Sequence, residues 1–220
     1  MAGIRKAIIP TLMALLSSVS CTNEGYETGD GKYSYLCTEF VDAYTSADTL
    51  VTRVVTDDDE TLGLLPNIRP SWVTRPDTVY RGLLYYNKVG NPVKAFSLAM
   101  VPVLKPAEKV EQVATDPVGL ESVWASRNGR YVNIGLLLKT GVPDSVDARQ
   151  WISVMRDSDY VSDQTGVYAI HLLHGQNGVP EYYTSRFFVS IPVDTLPTGH
   201  RVRLRVNTYD GEVVREIILL

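Results

Sequence analysis

The residue with the clearest chemistry in this sequence is Cys21, a thiol that follows a basic start (Arg5, Lys6), an apolar run over 7–16 and the small residues Ser17, Ser18 and Ser20. This is the pattern of a bacterial secretory signal that ends at a cysteine to be lipidated. The apolar run is too short for a transmembrane helix, which needs roughly 20 apolar residues. Pro10 also interrupts it. Residues 1–20 are therefore expected to be removed as a signal peptide, leaving Cys21 as the acylated, palmitate-type anchor. Two acyl chains hold far better than one, since each buried methylene contributes about 0.8 kcal/mol. Lipidation also removes the only possible disulfide partner of Cys37, which is then expected to be a small buried residue in a strand.

The remaining reactive side chains do not form a recognisable catalytic set. His171 and His174 are the closest histidines, but an offset of three on a strand puts them on opposite faces, unsuited to one metal ion. His200 is expected at the rim of the last hairpin. The densest charge cluster, Asp57, Asp58, Asp59 and Glu60, lacks the spaced ligands and central glycine of an EF-hand loop and reads as a solvated loop. No GxSxG, HExxH, P-loop or dinucleotide fingerprint occurs, and nothing marks Ser153 or Ser158 as a nucleophile. No metal, no cofactor and no enzyme activity are expected.

Aromatic residues carry more information. Thirteen tyrosines and three tryptophans outnumber four phenylalanines, a balance that suits carbohydrate sites and protein interfaces. Tyr85 with Tyr86, and Tyr182 with Tyr183, should each place one ring on either face of a strand. Trp72 lies between Pro70 and Pro76 with Arg69 and Arg75 nearby, the setting of a loop contact residue. Trp72, Tyr85 and Tyr182 are thus the candidate contacts for a ligand or partner. Trp124 and Trp151, inside apolar runs, read as core anchors.

The elements that must position these residues are strands. Beyond a polar, glycine-containing tether over 21–32, short runs rich in Val, Ile, Leu, Tyr and Thr alternate with turn residues, and no long helical period is found. Strands are expected over 33–40, 50–56, 78–87 and 93–103, with Gly90, Asn91 and Pro92 turning between the last two. The segment 104–115 then breaks the apolar pattern. Further strands are expected over 118–124, 131–138, 150–155, 166–173, 182–191, 201–207 and 212–219. Residues 145–156 could also form a short helix. Val202, Leu204 and Val206 alternate with Arg201, Arg203 and Arg205, so one face of that strand should be buried and the other solvated. Asp210 and Gly211 suit the tight turn that follows.

Loss of the signal leaves a chain long enough for one large or two small cores and takes the formal net charge from −4 to −6. An acidic body without a basic stripe argues against a nucleic-acid partner.

Asp116, Pro117, Val118, Gly119 and Leu120, followed by Trp124 and then Tyr131, Val132, Asn133 and Ile134, resemble a segment of NigD-like lipoproteins of Bacteroidota. The order of parts agrees with that family: signal, polar tether, first β block, connector, and a C-terminal block holding this segment. His171 and Arg201, Arg203 and Arg205 match the family's histidine-bearing and basic strands only loosely. Directly behind Cys21, Thr22 and Asn23 stand where the family often carries acidic residues. The resemblance implies an all-β chain with a small OB-like β-barrel over 33–105, a linker over 106–115 and an antiparallel β-sandwich over 116–220. The family is associated by name with a bacteriocin gene cluster and has no established biochemical activity.

The expected protein is a lipid-anchored envelope component, on the outer membrane, that binds or assembles with another protein and has no enzyme activity. A glycan-binding surface lipoprotein is the alternative suggested by the tyrosines. A bacteriocin-associated immunity factor or a hydrolase ranks below both.

Overall fold

Alternation of apolar and polar side chains gives twelve strands and no helix among the residues described by the structure, a computed structural model covering 35–110, 113–157 and 166–219. The expected signal peptide, Cys21, the tether and Ser158 lie outside them.

The first five strands are β1 (Leu36–Thr45), β2 (Val51–Thr56), β3 (Thr61–Ile68), β4 (Val79–Asn87) and β5 (Lys94–Met100). They form one sheet in the order β3-β2-β1-β4-β5. The sheet curls into a half-barrel whose ends meet where Leu65 N donates to Val93 O at 3.0 Å and Val93 N to Gly63 O at 2.8 Å. That connectivity is OB-like. Val41, Val51, Val54, Leu62, Leu84 and Tyr86 fill its core.

Two expectations need correction here. The strand β3 adds to the expected set, in which Gly63, Pro66 and Asn67 look like turn residues. Gly63 instead sits beside Pro92 where the barrel ends approach, and its N–H bonds Asn91 Oδ1 at 2.9 Å. The strand β1 also runs on to Thr45, so Asp42 becomes a strand residue.

The remaining strands are β6 (Gly119–Ala125), β7 (Tyr131–Thr140), β8 (Trp151–Arg156), β9 (Val167–Gly175), β10 (Tyr183–Pro192), β11 (Arg201–Thr208) and β12 (Gly211–Ile218). They pack as a sandwich of two sheets, ordered β10-β7-β6 and β12-β11-β9-β8. The ambiguity over 145–156 resolves to the strand β8. All neighbours are antiparallel except β9 and β11. Between those two the chain visits β10 in the opposite sheet and so returns in its original direction.

Val202, Leu204 and Val206 of β11 are fully buried against Ile134, Leu136 and Ile170. On the other face Arg203 Nε donates to Glu216 at 2.9 Å and Arg205 pairs with Asp157 at 2.7 Å. Each such buried aliphatic side chain stabilises the fold by roughly 1.5–3 kcal/mol, which makes this face the main contribution of β11.

Candidate functional site

The site begins with the chain that leaves β5. It first lies along the end of β10, where Ser190 N donates to Pro102 O and Leu104 N to Ser190 O, both at 2.9 Å. It then crosses to the other sheet and lies along the end of β8, where Ala107 N donates to Val154 O at 3.0 Å and Arg156 N to Ala107 O at 2.9 Å. Both β10 and β8 are edge strands. The crossing segment therefore closes this side of the sandwich over only part of its length.

Toward the beginnings of β10 and β8 the two edges enclose a cleft of about 490 Å³. Leu104 and Pro102 end it, Leu138 and Thr140 of β7 line its sheet side, and Phe187, Val189 and Ser185 face Trp151 and Ile152 across it. Its volume and mostly apolar lining are those of ligand sites, which span roughly 300–1,000 Å³. Tyr183 precedes Ser185 by two and so shares its face of β10 at the open end.

Local sequence fixes the cleft walls. Trp151 pairs with Gly175 of β9, and its indole lies so close over that glycine that any Cβ there would collide with Nε1. Beside it, Gln150 Nε2 donates to Gln176 Oε1 at 2.7 Å, and Gln176 Nε2 donates to Lys139 O at 3.1 Å and Val179 O at 2.7 Å. These amides brace the loops at the open end. Trp151 Nε1 faces Gly175 and makes no hydrogen bond among the described residues.

The expectation that Trp151 anchors the core is therefore corrected: on an edge strand its ring is only half-buried and forms a cleft wall. Trp124 is also half-buried, edge-on to Phe40 at 5.3 Å, and Phe40 in turn meets Phe188 at 5.4 Å. These rings join the half-barrel to the sandwich. Sequence reasoning missed the cleft because Ser185, Phe187 and Thr140 look like ordinary strand residues. Only the incomplete cover provided by 102–107 sets them apart.

The three candidate contact residues occupy separate elements and do not touch one another. Trp72 is half-buried against Tyr80, with ring centroids 5.5 Å apart, and its N–H already bonds Leu98 O at 3.2 Å. Tyr85 is exposed beside Phe96 while Tyr86 is buried, as alternation requires. Tyr182 and Tyr183 are both exposed, because Tyr182 precedes β10 rather than lying within it. Tyr182 is 79% exposed and its ring rests on Gly141. Cys37 is half-buried in β1, where it packs against the half-barrel core.

The acidic run 57–60 is more than a solvated loop. Asp57 pairs with Arg81 at 2.7 Å, Asp59 with Arg130 at 2.7 Å, Asp58 with Arg127 at 3.5 Å and Glu60 with Lys88 at 3.2 Å. Arg127 and Arg130 belong to the β6–β7 turn, so the run ties the half-barrel to the sandwich. At its centre Arg81, 1% exposed, forks onto Asp57, donates to Asn133 Oδ1 at 3.1 Å and Ser190 Oγ at 3.2 Å, and lies 4.1 Å from the Tyr131 ring centroid. Burial, reinforced by the charge of Asp42, pushes the Tyr131 phenol up to about 12. The network ties β4 and the β2–β3 loop of the half-barrel to β7 and β10 of the sandwich.

His174 is buried, with Nδ1 held 3.1 Å from Asp116 O, while His171 lies half-buried on the opposite face. Among the described residues no group of three His, Cys, Asp or Glu side chains is arranged to hold a metal.

An OB-like half-barrel joined by a buried polar network to a seven-stranded sandwich, with a cleft where the sandwich is incompletely closed, defines a two-part all-β protein. Residues 99–219 match the NigD-like C-terminal beta sandwich domain, and the chain belongs to this NigD-like family. It is similar in fold to a NigD-like immunity protein from Bacteroides caccae, with 23% identity, a TM-score of 0.63, and coverage of 82% of this chain and 90% of that one. A candidate lipoprotein from Bacteroides fragilis is similar at 12% identity and a TM-score of 0.59, covering 84% of this chain and 98% of that one. A candidate toxin-related protein from Parabacteroides distasonis is similar at 15% identity and a TM-score of 0.60, covering 82% of this chain and 91% of that one. No curated protein matches the sequence.

Proposed function

We propose that this protein is a lipid-anchored component of the bacterial cell envelope that binds a partner through the sandwich cleft and catalyses no reaction. The observation that carries the reading is the half-open apolar cleft between the edges of β10 and β8, with Trp151 held in its wall by Gly175. The anchor rests on the signal pattern ending at Cys21. The description of the similar B. fragilis protein as a candidate lipoprotein agrees with it. The outer membrane is the expected location. Affinity capture from solubilised envelopes, comparing wild type with Trp151→Ala and Phe187→Ala, tests the cleft. The same discrete partner should be retained by wild type and lost from both variants, and equal retention by all three would remove the cleft from the function.

A glycan ligand is favoured by one separate feature. Tyr182 presents its ring to solvent at the sandwich end, near an open hollow lined by Asp144, Asp147 and Asn177. An exposed aromatic face beside carboxylates and an amide suits a sugar ring. Binding on a glycan array that falls with Tyr182→Ala would support it, and binding unchanged by that variant would dismiss it.

A further inference from the structure

We infer that the cleft takes an extended peptide strand, which adds to the free edge of β10 and inserts a bulky apolar side chain between Phe187 and Trp151. This rests on the reading of the cleft as a binding site and names its occupant.

The first argument is the direction of the main-chain groups. Ser190 sends both its N–H and its C=O away from β7, to Pro102 and Leu104. In an antiparallel ladder such outward groups recur at every second residue. The register of β10 against β7 therefore directs the main-chain groups of Thr184 and Arg186 outward as well. Both residues are exposed, and among the described residues neither outward N–H has a main-chain partner. On the facing edge Val154 O is taken by Ala107, while Ile152, two residues earlier, has no such partner.

The second argument is that the protein already fills the adjoining half of the same opening in this way. The crossing segment bonds to the edge of β10 through its backbone while Leu104 lines the cleft. An added strand would continue that arrangement toward Tyr183. The length of edge left open, Tyr183 to Phe187, admits about five residues, or roughly 17 Å of strand. Backbone pairing with pockets for alternate side chains is the general form of strand addition. A lipid acyl chain would use the apolar lining but none of the outward N–H and C=O groups.

The test pans a displayed library of random nine-residue peptides against the full chain, with dodecanoate as the acyl probe. Arg186→Pro and Thr184→Pro each remove one outward N–H and leave the bonds to β7 intact, which an edge strand tolerates. The ion pair of Arg186 with Glu121 is exposed and contributes little to stability. Unchanged far-ultraviolet circular dichroism and melting identify the folded variants. Selected peptides should bind wild type, lose at least tenfold in affinity to each proline variant, and lose as much when their alternate amides are N-methylated. Dodecanoate binding with no peptide selected, or peptide binding indifferent to the proline variants and to N-methylation, would leave a binding cleft but overturn the strand as its occupant. If neither probe binds, the reading of the cleft as a binding site falls as well.

Discussion

Arg81 of β4, opposite Asp42 of β1 in the ladder, and Asp57 of the β2–β3 loop form a forked ion pair, at 2.7 and 2.8 Å, against Asn133 of the sandwich. The fork orders a loop that would otherwise be four acidic residues in water. A buried arginine that loses its partners, or carboxylates that lose theirs, leave an uncompensated charge. Arg81→Met should therefore destabilise the chain by about 3–5 kcal/mol in urea unfolding. Asp57→Asn should cost less, because its side chain is 17% exposed, and the double variant should cost less than the sum of the two. Strict additivity would show that the pair is not coupled.

Gly175 leaves the space in which the Trp151 indole lies. Gly175→Ala places a methyl group against Nε1, so the ring must turn into the cleft or β8 must move. Overpacking of this kind costs about 1–3 kcal/mol. The cleft should lose its probes in the same variant while Gly90→Asn, at an open turn whose left-handed backbone asparagine tolerates, leaves the cleft unaltered. Equal probe binding by Gly175→Ala and wild type would show that Trp151 does not shape the site.

His171 sets a pH dependence. Burial holds its imidazole below its ordinary value of 6.5, the charge of Arg205 adds to this, and Asp157 and Glu212 oppose it. The unfolded chain therefore binds a proton more readily than the folded one between these two values. The contribution to stability is complete above about pH 6.5 and is lost as pH falls toward the lowered folded value. Urea midpoints taken between pH 7.5 and pH 5 should decline, and His171→Gln should reduce the slope. An identical slope in the variant would assign it to other groups.

Cys21→Ala should release the protein from membranes and abolish acyl labelling. Fractionation of cells expressing each form measures this directly. A variant that stays membrane-bound would contradict the anchor.

Much of the fold could be read from local pattern, and its failures have physical causes. Val202, Leu204 and Val206 against Arg201, Arg203 and Arg205 predicted a one-sided strand because burial follows the period of two. The strand β3 is hidden in the sequence because Gly63 and Leu65 make a barrel closure with Asn91 and Val93 that no local window contains. The run 57–60 looks solvated in the sequence because its partners Arg81, Arg127 and Arg130 lie far along the chain. Trp151 resembles a core residue in the sequence because apolar neighbours do not distinguish an edge strand from a central one. The cleft was the least legible feature: it exists only where the segment 102–107 stops short, a property of topology rather than of any motif.

The cleft is the centre of the account, and site-specific photo-crosslinking in the native envelope tests it most directly. A photoreactive phenylalanine at Ser185, inside the cleft, is compared with one at Val214, exposed on β12. The account predicts one discrete protein adduct from position 185 that disappears in the Trp151→Ala background, and none from position 214. Adducts that are the same from both positions, or only lipid and peptidoglycan captured from position 185, would contradict it.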